Sequence, residues 1–151
     1  MLPVALWGLD PLFSCWRKLL IASIERTVTK VVLEEEQRLE FYLYARPVSK
    51  VEVVGIVVRR VLKSKKLLIY VDDGSGIIEC IKFYDGEKAP LAEFALGDIV
   101  SIKGMLAVAG EDQQFVLHIQ SAARLLDVHE ELQFWGDAMW LMENVYNRPF
   151  V

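Results

Sequence analysis

The chain has 151 residues, a formal net charge of -4 and a hydrophobic fraction of 54%. This length and composition predict one compact domain, 1–151, with a sizeable core, and they exclude wholesale disorder. The acidic balance excludes a polybasic, histone-like binder, although a local basic stripe is enough to track phosphates. The apolar start lacks a basic leader and a cleavage pattern, and the run at 19–23 is too short to span a bilayer, so we expect no membrane partner.

The N-terminal part, residues 1–45, is predicted to hold one helix and an extension. Asp10 and Pro11 are typical of a helix start, and apolar residues at helical spacing carry that helix to about Ile24. Two short β-rich pieces then flank the charged run from Glu34 to Arg38, which we interpret as a solvated turn.

Five strand patterns follow in residues 48–123. They are KVEVVGIVVRRVL, KKLLIYVDD, GIIECIKFY, GDIVSIKGMLAVA and QQFVLHIQSAA. Gly55 and Gly104 lie inside long strands, where glycine marks a bulge or a sharp bend. The segment DGEKAPLAEFALG has room for a short helix between the third and fourth strands, and residues 129–147 are helical by period.

This order of elements predicts the fold. Five strands, a short helix after the third and a long bent first strand match the OB-fold, a five-stranded Greek-key barrel that often binds oligonucleotides. The fold class is therefore all-β with flanking helices, an N-terminal and a C-terminal one around the barrel.

The segment DDGSG, 72–76, joins the second and third strands. Asp, Gly and Ser are turn residues, so we interpret it as a turn closed by its aspartates, with Asp72 also open to an ion pair with a partner. A metal would need further ligands, and the two histidines, His118 and His129, lack ligand spacing with each other. We expect no metal and no cofactor.

The sequence also argues against an enzyme. Ser75 is not in a nucleophile elbow, and no Gly-rich phosphate loop precedes a helix. Cys15 and Cys80 lie far apart in different contexts, which favours a reduced intracellular protein, and we interpret both as core fillers.

The last helix carries two apolar stripes. The first consists of Leu132, Trp135, Met139, Met142 and Tyr146, and the second of Phe134, Ala138, Leu141 and Val145. A helix on a monomeric barrel needs one stripe, so we expect the smaller second stripe to pack on the barrel and the first, rich in aromatic and methionine side chains, to meet a partner. The alternative is a helix buried in a groove of its own barrel.

A basic run lies beside the expected oligonucleotide face. The run RRVLKSKK, 59–66, contains Arg59, Arg60, Lys63, Lys65 and Lys66 and no acid. Such residues track phosphates while aromatic rings stack on bases, and a solvated surface loop is the alternative. Lys82 and Lys103 would add charge. The outer side of the fourth strand carries two alanines that hold a base poorly, so we expect weak binding of single-stranded DNA by this domain alone.

Strand alternation assigns the aromatic rings to faces. Leu67, Ile69 and Val71 form an aliphatic set that should be core, which leaves Tyr70 outward. On the third strand, alternation predicts that Phe83 points inward and Tyr84 is exposed; both remain candidates for stacking.

Several motifs occur in a fixed order. They are WGLDPLF at 7–13, PVSKVEVVGIVV at 47–58, VDDGSGIIECIKF at 71–83, GDIVSIKG at 97–104 and YNRPF at 146–150. Together they resemble the N-terminal OB domain of the Stn subunits of the telomeric CST (Ctc-Stn-Ten) complex, a family similar to the middle subunit of replication protein A.

The resemblance implies a non-enzymatic function. It implies a nuclear, telomeric subunit that pairs with a small Ten-type OB-fold subunit through the C-terminal helices, works with a larger Ctc/Cdc-type subunit and protects single-stranded telomeric DNA. Phe83 aligns with an aromatic residue that the family uses for DNA. The alternatives are a middle-type subunit of a replication protein A-like complex and a protein-only interaction module.

Overall fold

The computed structural model describes residues 10–84 and 94–148. The described elements, in chain order, are β1 (Arg17–Lys18), α1 (Ile21–Thr27), β2 (Val28–Leu33), β3 (Arg38–Leu43), β4 (Arg46–Pro47), β5 (Lys50–Leu62), β6 (Lys66–Asp72), β7 (Ile77–Phe83), β8 (Ile99–Ala109), β9 (Gln114–Arg124), α2 (Val128–Leu141) and a π-helical turn (Met142–Tyr146). The short helix predicted between the third and fourth barrel strands falls largely outside the described residues.

Five strands close into a barrel. They are hydrogen-bonded in the order β5-β6-β7-β9-β8, and β8 returns to pair with β5. All neighbours are antiparallel except β7 and β9, which are parallel. This is the predicted OB-fold, and its interior is filled by fully buried aliphatic side chains such as Leu67, Ile69, Ile102 and Leu117.

β5 belongs to both halves of the barrel. Residues Lys50 to Ile56 pair with β8, and Ile56 to Leu62 pair with β6. Gly55 lies at this change of partner, where a Cβ atom would stand 2.4 Å from the Asp72 carbonyl oxygen. The bend predicted at Gly55 is therefore a site of close backbone approach, and a register shift follows between Val57 and Arg59.

Gly104 has a similar role in β8. The pairing of β8 with β9 shifts register between Lys103 and Gly104, and a Cβ atom on Gly104 would lie 2.8 Å from the His118 carbonyl oxygen. The prediction of a bulge or bend at this glycine is confirmed.

The prediction of a helix from Asp10 to Ile24 is wrong. Residues after Asp10 form a turn, and Arg17 and Lys18 form a strand parallel to β5 before α1 begins at Ile21. The Asp10 carboxylate accepts the Leu12 N–H at 2.9 Å. Its main partner, however, is distant in sequence, so Asp10 does not begin a helix.

That partner is Arg46. The buried Asp10 carboxylate accepts a hydrogen bond of 2.9 Å from the Arg46 guanidinium. Burial alone would raise the pKa of Asp10, but the hydrogen bonds from Arg46 and Leu12 and the charges of Arg46 and Arg17 outweigh it, so the pKa lies below its ordinary value. Arg17 is also buried and donates to the Pro47 carbonyl at 2.6 Å; burial lowers the pKa of Arg17 to about 10.

The DDGSG segment is the turn that the sequence predicts. The Asp72 carboxylate accepts the Gly74 N–H at 2.8 Å, and the Asp73 carboxylate accepts the Ser75 N–H at 2.9 Å. Gly74 has a φ of 87°, the left-handed region that glycine adopts without strain.

The same turn caps α1 from across the fold. Leu20, at the N-cap position, offers no side-chain hydrogen bond. Instead, the Ile21 N–H donates to the Asp73 carboxylate at 2.8 Å and the Ala22 N–H donates to the Ser75 hydroxyl at 3.0 Å. Two N–H groups that the first turn of a helix leaves unpaired are satisfied by residues more than fifty positions away.

The two cysteines differ in environment. Cys80 is buried in the barrel core, as predicted, and burial raises the pKa of its thiol. The same prediction for Cys15 is wrong, because this residue is exposed and its Sγ–H donates to the Pro11 carbonyl oxygen.

Within residues 10–84 and 94–148, no helix has the length and apolar content that a bilayer span needs.

The buried Asp10–Arg46 pair generates a prediction about stability. We expect Asp10→Asn to lower the free energy of unfolding at neutral pH by about 3 kcal/mol, because it removes the carboxylate whose negative charge offsets the buried Arg46 guanidinium. A carboxyl with a lowered pKa stabilises the fold above its unfolded value of 3.8, and that contribution is lost as the pH falls through the folded value. Urea unfolding at several pH values would therefore show a smaller acid-side loss for the variant; equal curves would contradict the prediction.

The close approach at Gly55 generates a second prediction. We expect Gly55→Ala to destabilise the barrel by about 2 kcal/mol or more, since its methyl group meets the Asp72 carbonyl oxygen. Gly136 in α2 is the matched control, because a Cβ atom there meets nothing within 4 Å. Gly136→Ala should raise helix propensity and stabilise the chain by about 1 kcal/mol in the same thermal unfolding assay. Two equal effects would refute the steric argument.

Candidate nucleic-acid and partner interfaces

The outer face of β7 carries an exposed aromatic ring. Ile78 and Cys80 point into the core, so Glu79, Ile81 and Phe83 point outward. Phe83 is 59% exposed, and its ring contacts the His118 imidazole edge to face, with centroids 5.5 Å apart.

The prediction that Phe83 points inward and Tyr84 outward is wrong. Tyr84 is partly buried and packs against the main core. The physical reason is a second apolar cluster on the outer face, formed by Leu68, Ile81 and Val116. Ile81 is buried in this outer cluster and not in the barrel core. The sequence pattern makes it resemble a core residue, so the strand alternation that starts from it assigns Phe83 and Tyr84 to the wrong faces.

The outer face has an apolar floor. Around Leu68, Ile81 and Val116 pack four partly buried residues from three strands, which are Val61, Tyr70, Ala107 and Ala109. The two alanines thus lie on the outer side of β8, as predicted, and form part of this floor. Tyr70 also points outward, as predicted from alternation in β6.

The register shift in β5 determines where Arg59 lies. It places Arg59 opposite Tyr70, with the guanidinium carbon 5.1 Å from the ring centroid. The next residue, Arg60, pairs with the buried Ile69 and is itself half-buried on the inner side of the strand pair. The two arginines of the basic run therefore face opposite sides.

The three lysines of the basic run lie at the connection from β5 to β6, and one of them is the register neighbour of Phe83. Lys63 and Lys65 are exposed in the loop between β5 and β6, and Lys66 pairs with Phe83 across β6 and β7. The Tyr84 N–H donates to the Lys65 carbonyl at 2.9 Å, which fixes the loop at this edge.

Two predicted lysines lie in other surroundings. Lys82 is half-buried, with its ammonium 5.5 Å from the centroid of the Tyr84 ring. Lys103 is the register partner of Glu52 in the first half of β5 and of Ser121 in β9. The outer face thus brings together Arg59, Lys63, Lys65, Lys66, Tyr70 and Phe83, and Arg60, Lys82, Tyr84 and Lys103 lie elsewhere. His118 also belongs to the outer face, because it lies two residues after the outward Val116 on β9. From the sequence we considered this histidine only as a metal ligand.

The smaller stripe of α2 packs on the barrel, as predicted. Phe134 and Ala138 are buried against Val54, and Leu141 and Val145 pack against the main core. The Asp127 carboxylate caps this helix by accepting the His129 N–H at 2.9 Å.

The other stripe is divided between the barrel and solvent. Leu132 and Met139 are exposed, but Trp135 packs beside the Val54 cluster and Met142 against the main core. Tyr146 is only 3% exposed, and burial raises the pKa of its hydroxyl to about 12.

The burial of Tyr146 follows from a π-helical turn that the periodicity did not predict. A π turn contains more residues than an α turn, so each residue advances by a smaller angle around the axis. In a continuous α-helix, Tyr146 would lie seven residues after Met139 on the same exposed side. The turn at Met142–Tyr146 instead directs its ring into the core.

The exposed side of α2 is centred on Gly136. Leu132, Met139 and Trp140 surround this glycine at spacings of three and four residues, and all three are more than half exposed. We call these four residues the helix face. Trp140, 59% exposed, belongs to it although the sequence assigned it to neither stripe.

An acidic cavity lies beside the start of α2. It has a volume of about 230 Å³ and is lined by Ile56, Val58, Asp72, Asp73, Gly74, Glu131 and Trp135. Glu131 is 6% exposed, and its pKa is raised by burial and then by the nearby charge of Asp73.

Among the described residues, no group of three or more His, Cys, Asp and Glu side chains has the arrangement of a metal site.

The outer face and the two helices sit on a chain that matches a known family. A family model described as telomere regulation protein Stn1 matches residues 12–147. The chain belongs to the Stn1 family. Membership assigns it to a group of telomere regulation proteins, as the ordered motifs of the sequence predict.

Individual members of the Stn1 family are similar to the chain. The CST complex subunit STN1 of Ailuropoda melanoleuca is 37% identical over 81 residues, covering 52% of this chain and 20% of the relative. The corresponding subunit of Rattus norvegicus is 30% identical over 190 residues, covering 99% of this chain and 43% of the relative. The chain spans less than half the length of either relative.

Solved structures share the fold. A chain in the crystal structure of yeast Stn1 and Ten1 has a TM-score of 0.76 at 18% identity, covering 98% of this chain and 83% of that chain. The S. pombe Stn1–ten1 complex gives 0.71 at 18% identity, with coverages of 88% and 95%. A replication protein A heterotrimer bound to single-stranded DNA gives 0.70 at 17% identity, with coverages of 87% and 98%.

The buried Glu131 generates a prediction about pH. A carboxyl with a raised pKa gives stability that is present below its ordinary value of 4.5 and is lost as the pH rises through the folded value. We therefore expect Glu131→Gln, which mimics the protonated form, to be more stable than the wild type at pH 7 and equally stable in acid. Thermal unfolding at both pH values measures this.

The matched control is the next residue towards the N-terminus. Glu130 is exposed in the same first turn of α2, where a carboxylate stabilises the helix dipole. Glu130→Gln should destabilise slightly at pH 7, by about 0.5 kcal/mol. A Glu131→Gln variant that is less stable than this control would contradict the prediction.

Proposed function

We propose that this chain is the OB-fold part of a telomere-end capping subunit. In this proposal it forms a heterodimer with a small Ten-type OB-fold subunit through its C-terminal helix and contributes to single-stranded telomeric DNA binding in the nucleus. A larger Ctc/Cdc-type subunit completes the assembly; that part of the proposal rests on the family alone. The role is non-enzymatic.

The observation that carries the proposal is the helix face. Leu132, Met139 and Trp140 expose large apolar side chains on a helix whose opposite side is already buried on the barrel. Aromatic and methionine side chains are enriched at the cores of protein interfaces. Gly136 lies between them with open space above it, so a partner helix can approach the backbone closely.

The acidic cavity supports the same partner surface. Trp135 and the exposed Ile56 and Val58 give it apolar walls, and Asp72 and the buried Glu131 give it negative charge. This combination suits a basic side chain of the partner, which would donate hydrogen bonds to an ionised carboxylate and pair with its charge. The expected role of Asp72 as one half of an intermolecular ion pair is consistent with this position. Of the residues expected at the interface, Leu132, Met139 and Asp72 remain proposed contacts, Trp135 borders the cavity, and Met142 and Tyr146 support the helix from within.

The outer face supports single-strand binding. Phe83 offers an exposed ring for stacking, His118 buttresses it, and Lys63, Lys65 and Lys66 lie at the same edge to track phosphates. The net charge of -4 and the small side chains of Ala107 and Ala109 favour weak binding by the chain alone.

Two other functions have a specific observation in their favour. The match to a replication protein A heterotrimer favours a middle-type subunit that binds single strands without telomeric preference. The alanines on the outer face favour a protein-only interaction module, which would retain its partner and bind no DNA. The two are distinguished from the main proposal by the partner found and by DNA binding.

The test is co-expression with the Ten-type subunit of the same organism, followed by light scattering on the purified product. We expect a one-to-one heterodimer. Met139→Asp should abolish it, because a buried charge at an interface core costs about 2 kcal/mol or more. Gln133→Asp is the comparison variant, since it adds the same charge to an exposed position of α2 that lies at the border of the helix face, about 120° around the axis from Met139, and it should weaken the heterodimer less.

Phe83→Ala, in the same heterodimer, separates the two surfaces. Its loss of a stacking ring should weaken binding to a single-stranded oligonucleotide by about 1 to 3 kcal/mol while the heterodimer persists. A monomer in the presence of the Ten-type subunit would refute the proposed pairing. A heterodimer that binds no oligonucleotide would favour the protein-only module.

A further inference from the structure

A cleft of about 570 Å³ opens on the outer face beyond the Phe83 ring. Tyr70 and Glu79, which are direct neighbours across β6 and β7, both line it. Glu79 lies on the same side of β7 as Phe83 and four residues before it, a distance of roughly 13 Å along the strand. A single strand that stacks on Phe83 and follows β7 would therefore reach this cleft.

Part of the cleft wall is apolar and suits a flat ring. Tyr70, Ile77 and Phe115 contribute apolar surface to it. Phe115 is held in place, because its ring packs on Phe41 with centroids 5.7 Å apart and the Lys30 ammonium lies 4.6 Å from its centroid. A volume of this size accommodates a nucleobase.

The charges around the cleft distinguish a base from a phosphate. Glu25, Glu79 and Asp112 line it, against the single cation Lys30 among the described lining residues, so the cleft repels phosphate. Arg59 and the lysines of the β5–β6 loop lie outside it. This division orients a bound strand, since the backbone is attracted to the basic residues and the base is directed towards the cleft.

Glu79 has unused acceptor capacity. It is half-buried, and within residues 10–84 and 94–148 its carboxylate forms neither a hydrogen bond nor an ion pair. An ionised carboxylate offers two acceptor oxygens and no donor. Guanine is the base whose Watson–Crick edge presents two adjacent donors, N1–H and the N2 amino group; adenine and cytosine each present a single amino group, and thymine presents one N–H between two carbonyls.

We propose that the cleft between Tyr70 and Phe115 is a base-reading pocket in which the Glu79 carboxylate selects guanine within a bound single strand. The proposal rests on the single-strand binding proposed above and adds its base preference. The carboxylate accepts from N1–H and N2–H in parallel, and the apolar surface of Tyr70, Ile77 and Phe115 lies beside the bound base. Arg59 and Lys66 hold the flanking phosphates.

The experiment measures fluorescence anisotropy of the full chain at low salt with labelled oligonucleotides of about twelve nucleotides. One is oligothymidine, the second has two central guanines, and the third has inosine at both guanine positions. Inosine lacks the N2 amino group and keeps N1–H. We expect the guanine oligonucleotide to bind about 10-fold more tightly than the inosine one.

Glu79→Gln provides the decisive comparison. An amide has one acceptor and brings a donor against the N2 amino group, so the variant should lose the preference for guanine over inosine. It also removes a negative charge from the face, so its affinity for oligothymidine should be unchanged or higher. Glu111→Gln is the matched control: it removes the same charge from the neighbouring β8–β9 loop, at an exposed residue that does not line the cleft, and should keep the preference.

Four outcomes would overturn the proposal. Equal binding of guanine and inosine by the wild type, or equal preference in the two variants, would show that Glu79 does not read the base. Binding of an oligoarginine peptide that competes with DNA and is lost in Glu79→Gln would assign the cleft to a basic side chain of a protein. Absence of binding to every oligonucleotide would refute single-strand binding by the chain together with this inference.

Discussion

The close approach of Gly55 to the Asp72 carbonyl is the constraint on which the rest of the barrel depends. One strand, β5, must pair with β8 in its first half and with β6 in its second, and it changes partner where a side chain would collide with backbone. Glycine at this position permits the two halves of the sheet to meet. Closure in turn removes the exposed strand edges that an open sheet of this length would present.

The register shift that follows the glycine distributes side chains between two surfaces. Val58 and Arg59 are consecutive, yet both are exposed, because the shift interrupts the alternation of β5. Val58 lines the acidic cavity next to α2, and Arg59 lies over the Tyr70 ring on the outer face. A single local irregularity therefore supplies one residue to each of the two surfaces for which we propose partners, protein on one side and nucleic acid on the other.

Much of this architecture could be predicted from the sequence because it depends on local alternation. The five barrel strands, the DDGSG turn and the burial of Phe134 and Ala138 all follow from periodicity and turn chemistry. The failures have long-range causes. Asp10 has the neighbours of a helix cap, but Arg46, thirty-six positions away, takes its carboxylate. Phe83 was assigned to the wrong face because an apolar cluster covers the outer side of β7. Tyr146 does not share the exposed side of Met139, because the π turn changes the number of residues per helical turn. The local sequence contains no signal that predicts such a turn.

The capping of α1 by the DDGSG turn has a consequence for the order of assembly. A helix of seven residues is marginal in water on its own, and this one has no cap within its own segment. Its first N–H groups find acceptors only when β6 and β7 have come together to form the turn between them. We therefore expect the N-terminal segment to become helical after the barrel hairpin, and its backbone amides to exchange with solvent whenever that hairpin opens. The hydrogen bonds at the start of α1 can therefore form only in a chain whose β6–β7 hairpin is already in place.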